Sequence, residues 1–251
     1  MSSPRIDKNA DRIQRMFAGV APRYDFLNHL LSGSLDRLWR RRVVQALNAD
    51  AGVWGAPNEL GRDGAVLDLC CGTGDQAISL RADGRKVLAA DFCVPMLALA
   101  RSKFEGLVGG RPALLAADAL RLPFPSSHFA AVTISFGVRN FSSLDRGLRQ
   151  VASILRPGGR LIVLEFAVPR FPVVRPLYLL YLRFVLPWIG QLLSPRGSAY
   201  GYLRDSVLEF PQRREFAARL ESAGFDQASW RDLSAGTVCL YSARKPLTSA
   251  P

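Results

Sequence analysis

Two histidines and four cysteines are all that this 251-residue chain offers a transition metal or a disulfide framework. The cysteines stand at Cys70, Cys71, Cys93 and Cys239, with neither zinc spacing nor the pattern of a secreted scaffold, so a reducing compartment and no metal centre are expected. Acidic residues are also scarce: 21 Asp and Glu face 33 Lys and Arg, a net charge of +12. A charge of that size calls for an acidic partner, either nucleic acid or an anionic membrane surface. The opening Met1-Ser-Ser-Pro-Arg-Ile-Asp7 lacks the apolar core of a signal peptide, so a cytoplasmic protein is expected. Nowhere does an unbroken run of about 20 apolar residues occur. The nearest approach, residues 173–193, is interrupted by Arg175, Pro176, Arg183 and Pro187. It reads as an interfacial or pocket-covering element, with Tyr178, Tyr181 and Trp188 suited to a lipid boundary. A helix pair packed on the core or on a second subunit is the alternative. No repeat or linker divides the chain, which reads as one domain over 1–251, with an N-terminal lid over 10–48 and an apolar insertion over 170–200.

What the chain does have is Ala65-Val-Leu-Asp-Leu-Cys-Cys-Gly-Thr-Gly-Asp75, an apolar strand that breaks into a glycine turn and opens a helix. Gly72 and Gly74 allow positive φ and close approach of a ligand to the main chain, beside the unpaired N–H groups of the helix start. Asp91 closes the next strand, Lys86-Val-Leu-Ala-Ala-Asp91, 19 residues after Gly72 (91 − 72 = 19). That matches the carboxylate that holds a ribose in doubly wound sheets, about 20 residues on. The glycine pattern Gly72-x-Gly74-x-x-Ala77 by itself passes a loose dinucleotide fingerprint. Asp68 before the turn and Asp75 at the helix start oppose a pyrophosphate and suit a cation. S-adenosylmethionine, with an ammonium, a sulfonium and no phosphate, is therefore favoured over NAD.

Strands are predicted at 65–70, 86–91, 113–117, 130–135 and 160–166, alternating with helices near 75–82, 95–104 and 143–155. This alternation predicts an α/β fold with a parallel sheet. Arg156-Pro-Gly-Gly159 reads as a break before Arg160-Leu-Ile-Val-Leu-Glu-Phe166. After a helix near 212–223, strands at 228–233 and 237–242 flank a short connection and form a hairpin, so the last strand runs antiparallel. A seven-stranded sheet with one reversed strand is the class I S-adenosylmethionine-dependent methyltransferase core, a Rossmann-like architecture.

Four segments carry a more specific likeness: Met16-Phe-Ala-Gly-Val-Ala-Pro-Arg-Tyr-Asp-Phe-Leu-Asn28, Val66 through Asp75, Asp118-Ala-Leu-Arg-Leu-Pro-Phe-Pro125 and Thr133-Ile-Ser-Phe-Gly-Val-Arg-Asn140. Together with Leu155 through Phe166, Tyr202 through Pro211 and Ala223-Gly-Phe225, they resemble the ubiquinone/menaquinone biosynthesis C-methyltransferases over roughly residues 13–245. The resemblance implies transfer of a methyl group from S-adenosylmethionine to a ring carbon of a polyprenylated quinol. Demethylmenaquinol is the first choice of substrate and a ubiquinone-pathway benzoquinol the second. It further implies a cofactor pocket of Asp68, Gly72, Thr73, Gly74, Asp91, Asp118, Ala119 and Ser135. Arg139 would stabilise the developing quinolate oxyanion, Asn140 would orient it, and Tyr24 and Asp25 lie in the lid, with Asp25 the best available proton acceptor. Phe17, Tyr24 and Phe136 are candidates for aromatic faces on the sulfonium.

The stretch Ser32-Gly-Ser-Leu-Asp-Arg37 departs from the more usual Ser-x-Gly-x-His-Arg, so Asp36 stands at a histidine position. Phe129-Ala130 replaces the commoner Phe-Asp, and Cys93-Val-Pro stands where polar helix-capping residues are commoner. Strand four leads into Ser-Phe-Gly-Val-Arg-Asn rather than the Asn/Asp-Pro-Pro loop of amino-methylating enzymes, and no Pro-Cys nucleophile is present, so no nucleic-acid substrate is expected. An RNA methyltransferase remains the enzymatic runner-up, a non-catalytic quinone-binding scaffold the other class, and a homo-oligomer is compatible with both.

Overall fold

A computed structural model describes residues 6–21, 24–48, 64–107, 110–188 and 198–247; part of the predicted insertion, 189–197, and the C-terminal tail lie outside these. The centre is a seven-stranded sheet in the order β3-β2-β1-β4-β5-β7-β6. Its strands are β1 (Val66–Leu69), β2 (Val87–Asp91), β3 (Ala113–Ala116), β4 (Phe129–Ser135), β5 (Leu155–Phe166), β6 (Asp226–Leu233) and β7 (Val238–Arg244). The first five pair in parallel, while β7 runs antiparallel to both β5 and β6, as the hairpin signal predicted.

Strand alternation explains the layers. Leu67, Leu69, Leu161 and Val163 face one core, and Val66, Ile162 and Leu164 face the other. The first core packs against α6 (Leu144–Ile154) and α9 (Arg214–Ser222), through Leu148, Val151, Phe216 and Leu220. The second packs against α3 (Leu35–Asn48), α4 (Asp75–Ala82) and α5 (Val94–Glu105), through Val43, Leu47, Leu80 and Phe104. Helices on both faces bury the central strands on both sides, which is why they read as apolar runs rather than alternating patterns.

Two further helices, α1 (Ala10–Val20) and α2 (Tyr24–Ser32), precede α3, and α7 (Val174–Leu180), continuing as a π-turn over Tyr181–Val185, is followed by α8 (Ser198–Glu209). Leu27 of α2, Leu182 and Leu186 after α7, and Tyr200 and Val207 of α8 bury one another in a separate cluster. The predicted lid and the described part of the predicted insertion are thus packed together.

One local prediction resolves differently. Helix α6 ends at Ile154, two residues before Arg156-Pro157, because the residue ahead of proline is driven out of the helical region. The Pro-Gly-Gly stretch that reads as a break is instead a bulge within β5. Leu155 pairs with Phe129, and the ladder resumes at Arg160 opposite Ala131. Lys245 holds the bulge with its backbone and with an Nζ contact of 2.6 Å to the Leu155 carbonyl.

At the carboxyl edge, β1 and β4 lie side by side, with Leu69 opposite Ile134. Both end in a non-glycine residue of positive φ, Cys70 at 58° and Phe136 at 60°. Gly137 follows so closely that a Cβ there would stand 2.4 Å from the Cβ of Cys70. Gly137→Ala is therefore expected to lower the free energy of unfolding by about 1–3 kcal/mol through overpacking. Gly201→Ala in α8, where an added Cβ would meet nothing within 4 Å beyond its own helix backbone and chain neighbours, should leave stability unchanged or raise it. Urea melts of the two variants check the contrast.

Candidate functional site

The glycine turn between β1 and α4 is built around Asp91. Its carboxylate, 7% exposed, accepts the backbone N–H groups of Gly72 and Cys93, both at 2.8 Å, and burial pushes its pKa up. The acid therefore braces the loop and also faces the cleft beside it. Gly74 caps α4 in the left-handed region at φ 87°, with the Phe104 ring beneath it. Asp68, 1% exposed at the end of β1, accepts the Thr133 hydroxyl at 2.9 Å, while its Oδ2 has no hydrogen-bond partner among the described residues. Burial pushes this carboxyl up to about 7 despite the hydroxyl. Gln76 presents the complementary deficit: its Oε1 takes the Ser135 hydroxyl at 3.3 Å, and its buried Nε2 has no partner among the described residues. A buried acceptor and a buried donor left open beside one loop fit the ammonium and carboxylate of an amino-acid group.

A cleft of about 100 Å³ runs from this loop. Gly72, Asp91, Asp118, Ala119, Ser135 and Asn140 line it, together with Lys8 and Ile13 from the N-terminal segment. Asp118 shapes its own turn by accepting the Leu120 N–H at 2.9 Å. Asp68, Thr73 and Gly74 support the loop without lining the cleft. Thr73 points away from it. Its hydroxyl donates to Asp25 at 2.5 Å and sits 3.1 Å from Lys103 Nζ.

A second, larger cavity of about 310 Å³ opens beside the first. Its wall is mostly apolar and aromatic: Leu27 and Leu31 from α2, Trp39 from α3, Phe166 at the end of β5, Tyr178, Tyr181, Leu182 and Leu186 from the α7 region, and Tyr200, Tyr202 and Val207 from α8. Phe17, Tyr24 and Phe136 line both spaces. These are the three aromatic residues the sequence had offered to a sulfonium.

The short 3₁₀ turn Val138–Asn140 divides the two neighbours named from the sequence. Arg139 goes to the large cavity and Asn140 to the cleft, where its Oδ1 accepts the Tyr202 hydroxyl at 3.0 Å. Arg139 is 5% exposed and its Nη1 lies 2.7 Å from Oε1 of Glu165, which is fully buried. Its guanidinium also sits 5.4 Å over the Phe166 ring, and its Nε has no hydrogen-bond partner among the described residues. Asp25 lines neither space. Its carboxylate is taken by Thr73 and by Lys103 Nζ at 2.6 Å, and Lys103 also holds Asp75 at 2.6 Å. Tyr24 stands at the junction, its hydroxyl pKa raised by burial.

Several residues escaped the sequence reading. Glu165 was visible only as the last polar residue of a strand, at the edge where such folds bind ligands. Lys103, Gln76 and Arg40 carried no signal. Asp36, noted only as a departure, is 3% exposed and lines the large cavity, bonded to His29 of α2. His29, Asp36 and Asp75 bring ligand-type atoms within 4.8 Å of one another, with the Lys103 ammonium already on Asp75.

Residues 5–245 match the ubiE/COQ5 methyltransferase family. The chain is 40% identical over 247 residues to a "Ubiquinone/menaquinone biosynthesis C-methyltransferase UbiE" of Geobacter sulfurreducens, covering 97% of this chain and 92% of that one. It is likewise 40% identical to a "Demethylmenaquinone methyltransferase" of Mycolicibacterium gilvum, covering 98% and 100%. In fold it is similar to an S-adenosylmethionine-dependent methyltransferase of Thermotoga maritima, at a TM-score of 0.62 and 18% identity over 92% of this chain and 99% of that one. The [4+2]-cyclase SpnF superposes at a TM-score of 0.65 and 19% identity over 99% and 100% of the two chains. The cyclase shows that this fold alone does not dictate the reaction. With the family matched over nearly its whole length, the chain is an S-adenosylmethionine-dependent methyltransferase with the class I fold, and it belongs to the ubiE/COQ5 methyltransferase family.

Proposed function

We propose that the enzyme methylates a ring carbon of a polyprenylated quinol, converting demethylmenaquinol to menaquinol. The observation that carries this reading is the pair of spaces sharing a wall at Phe17, Tyr24 and Phe136: a polar cleft on the glycine loop and a larger, apolar one beyond. Relatives carrying the demethylmenaquinone name support the naphthoquinol, and the Geobacter relative keeps a benzoquinol as the second choice.

S-adenosylmethionine supplies an electrophilic methyl group on a sulfonium. In this reading Asp91 in the cleft holds its ribose and Asp118 and Ala119 flank its adenine, while Asp68 and Gln76, which support the loop from behind the cleft, serve its amino-acid end through their open Oδ2 and Nε2. The chain's remaining task is to bring the ring carbon in line and to favour the quinolate. Arg139 suits the second part. Glu165 neutralises it and fixes its plane, while the buried Nε remains a donor for a developing oxyanion on the cavity wall. Tyr24, Phe17 and Phe136 exclude water from the junction.

The tail of such a substrate is collected from lipid, and the α7 region is built for that. Tyr178, Tyr181, Leu182 and Leu186 line the cavity, while Leu177, Leu180, Phe184 and Trp188 on the other side are 54–64% exposed. Arg170, Arg175 and Arg183 are exposed around them. Among the described residues no helix is long and apolar enough to cross a membrane. We therefore place this face on an anionic bilayer surface, with the prenyl chain entering beside it.

The first experiment is methyl transfer from labelled S-adenosylmethionine to reduced demethylmenaquinol and to a demethylated benzoquinol in detergent, with product masses measured. Label left with RNA instead would overturn the reading, and cofactor binding without turnover of either quinol would favour a scaffold. Arg139→Ala should destabilise the fold by about 3–5 kcal/mol, because Glu165 is stranded. The double variant Arg139→Met/Glu165→Gln should regain most of that stability in urea melts and still fail to methylate. Asp68 holds a proton below about pH 7 in the free protein and must shed it to receive an ammonium. Cofactor affinity should thus fall by up to about tenfold per unit as pH drops below 7, and Asp68→Asn should bind weakly with no such slope, measured by calorimetry. Phe184→Ser/Trp188→Ser should lose flotation with anionic vesicles while the protein stays folded.

A further inference from the structure

Methylation of a quinol carbon releases one proton per turnover, and the cavity wall holds a carboxylate that can take it. Asp36 lies near the start of α3, 3% exposed, and lines the large cavity. Behind it, outside the lining, His29 of α2 places Nδ1 3.0 Å from Asp36 Oδ1, and its side chain is 26% exposed. Ser32 donates its hydroxyl to Asp36 Oδ1 at 2.9 Å. A buried acid facing substrate, joined to a base open toward solvent, spans the wall from inside to outside.

We propose that Asp36 and His29 form the proton exit of the reaction, Asp36 accepting from the quinol hydroxyl and His29 passing the proton out. This rests on the quinol reading given above. The hydroxyl O–H bond breaks toward the Asp36 carboxylate, and the electron pair left on oxygen raises the nucleophilicity of the adjacent ring carbon. The new C–C bond forms as the S–CH3 bond breaks, leaving a neutral thioether. Loss of the ring proton from the resulting dienone and reprotonation of the oxygen restore the aromatic quinol. One proton is left over, which Asp36 hands to Nδ1 of His29, and the ring releases a proton from Nε2 to water.

The surroundings suit a shared proton. Arg40, on the same helix as Asp36, holds its Nε 4.0 Å from Asp36 Oδ2, and a carboxylate oxygen of Asp75 of α4, itself paired with Lys103, lies within 4.8 Å of both an imidazole nitrogen of His29 and the Asp36 carboxylate. Burial pushes the Asp36 pKa up, but the contacts from His29, Ser32 and Arg40 outweigh it and the net direction is down. The carboxyl is thus ionised and ready to accept the quinol proton. Asp25, by contrast, is committed to Lys103 and Thr73 and faces neither space.

The test uses the full chain, demethylmenaquinol in detergent and four forms: wild type, Asp36→Asn, Asp36→Glu and His29→Gln. Each is first checked for a native circular dichroism spectrum and for unaltered affinity for S-adenosylhomocysteine. Asp36→Asn is expected to lower kcat at neutral pH by about 10²-fold or more, the usual contribution of a general base, with KM changed less than about threefold. Its rate should recover toward wild type as rising pH ionises the quinol unaided. Asp36→Glu should restore part of the rate, and His29→Gln should lower kcat less and remove an ionisation from the pH profile. Unchanged kcat and pH profiles in both Asp36→Asn and His29→Gln would overturn the exit, and so would a loss in Asp36→Asn that is equal at every pH, which marks a structural role. A wild type that methylates no quinol would defeat the substrate reading and this inference together. An active wild type with normal variants would defeat this inference alone.

Discussion

Two parallel strands ending side by side constrain everything else in this enzyme. β1 and β4 are neighbours in register, and each must turn away sharply at the same edge, so both enter the left-handed region with residues that are not glycine, Cys70 and Phe136. Strain of that kind persists only where the surroundings over-determine it. Here the Cys70 side and the Gly137 backbone are pressed together too closely for an added Cβ. The result is that the β1 turn brings Cys70 and Gly72 to the wall of the smaller cleft, while the β4 turn sets Phe136 on the boundary and splits Arg139 from Asn140. In the reaction proposed above, the position where a methyl group crosses from one space to the other follows from that one pair of turns.

Electrostatics around this edge are arranged in closed pairs with a few atoms left open. Glu165 neutralises Arg139, Lys103 joins Asp25 to Asp75, and His29 with Ser32 holds Asp36. Burying so many charges is tolerable only because each has a partner. Three of the buried atoms that lack a hydrogen-bond partner among the described residues, Asp68 Oδ2, Gln76 Nε2 and Arg139 Nε, belong to residues to which the proposed reaction gives a ligand contact. Around them the lid helices and the α7 region supply apolar surface, inward to the cavity and outward to solvent, so the same segment serves as wall and as contact face.

Local signals in the chain were reliable wherever chemistry forces a local answer. Pro157 ended a helix, the glycine turn opened one, Asp91 closed the neighbouring strand beside that turn, and Ser234–Thr237 closed a hairpin that reversed the last strand. Arg156-Pro-Gly-Gly159 shows the limit of such signals. Proline and glycine disrupt regular pairing, but whether the disruption becomes a loop or a bulge depends on β4 and Lys245 lying alongside, and neither is nearby in the chain.

The sequence by itself determined the alternating α/β order, the cofactor loop and its acids, and through its motifs the family. Those features are encoded by residues within a turn or a strand of one another, where spacing and backbone preference speak directly. Tertiary structure alone decided which acid meets which base. On paper Asp25 is the proton acceptor of the lid and Asp36 only a departure at a histidine position. Folding brings Lys103 to the first and leaves it outside both cavities, while it sets the second in the wall of the larger one with His29 behind it. No periodicity records such a choice, because contacts between distant segments are selected by packing and charge only once the helices have docked on the sheet.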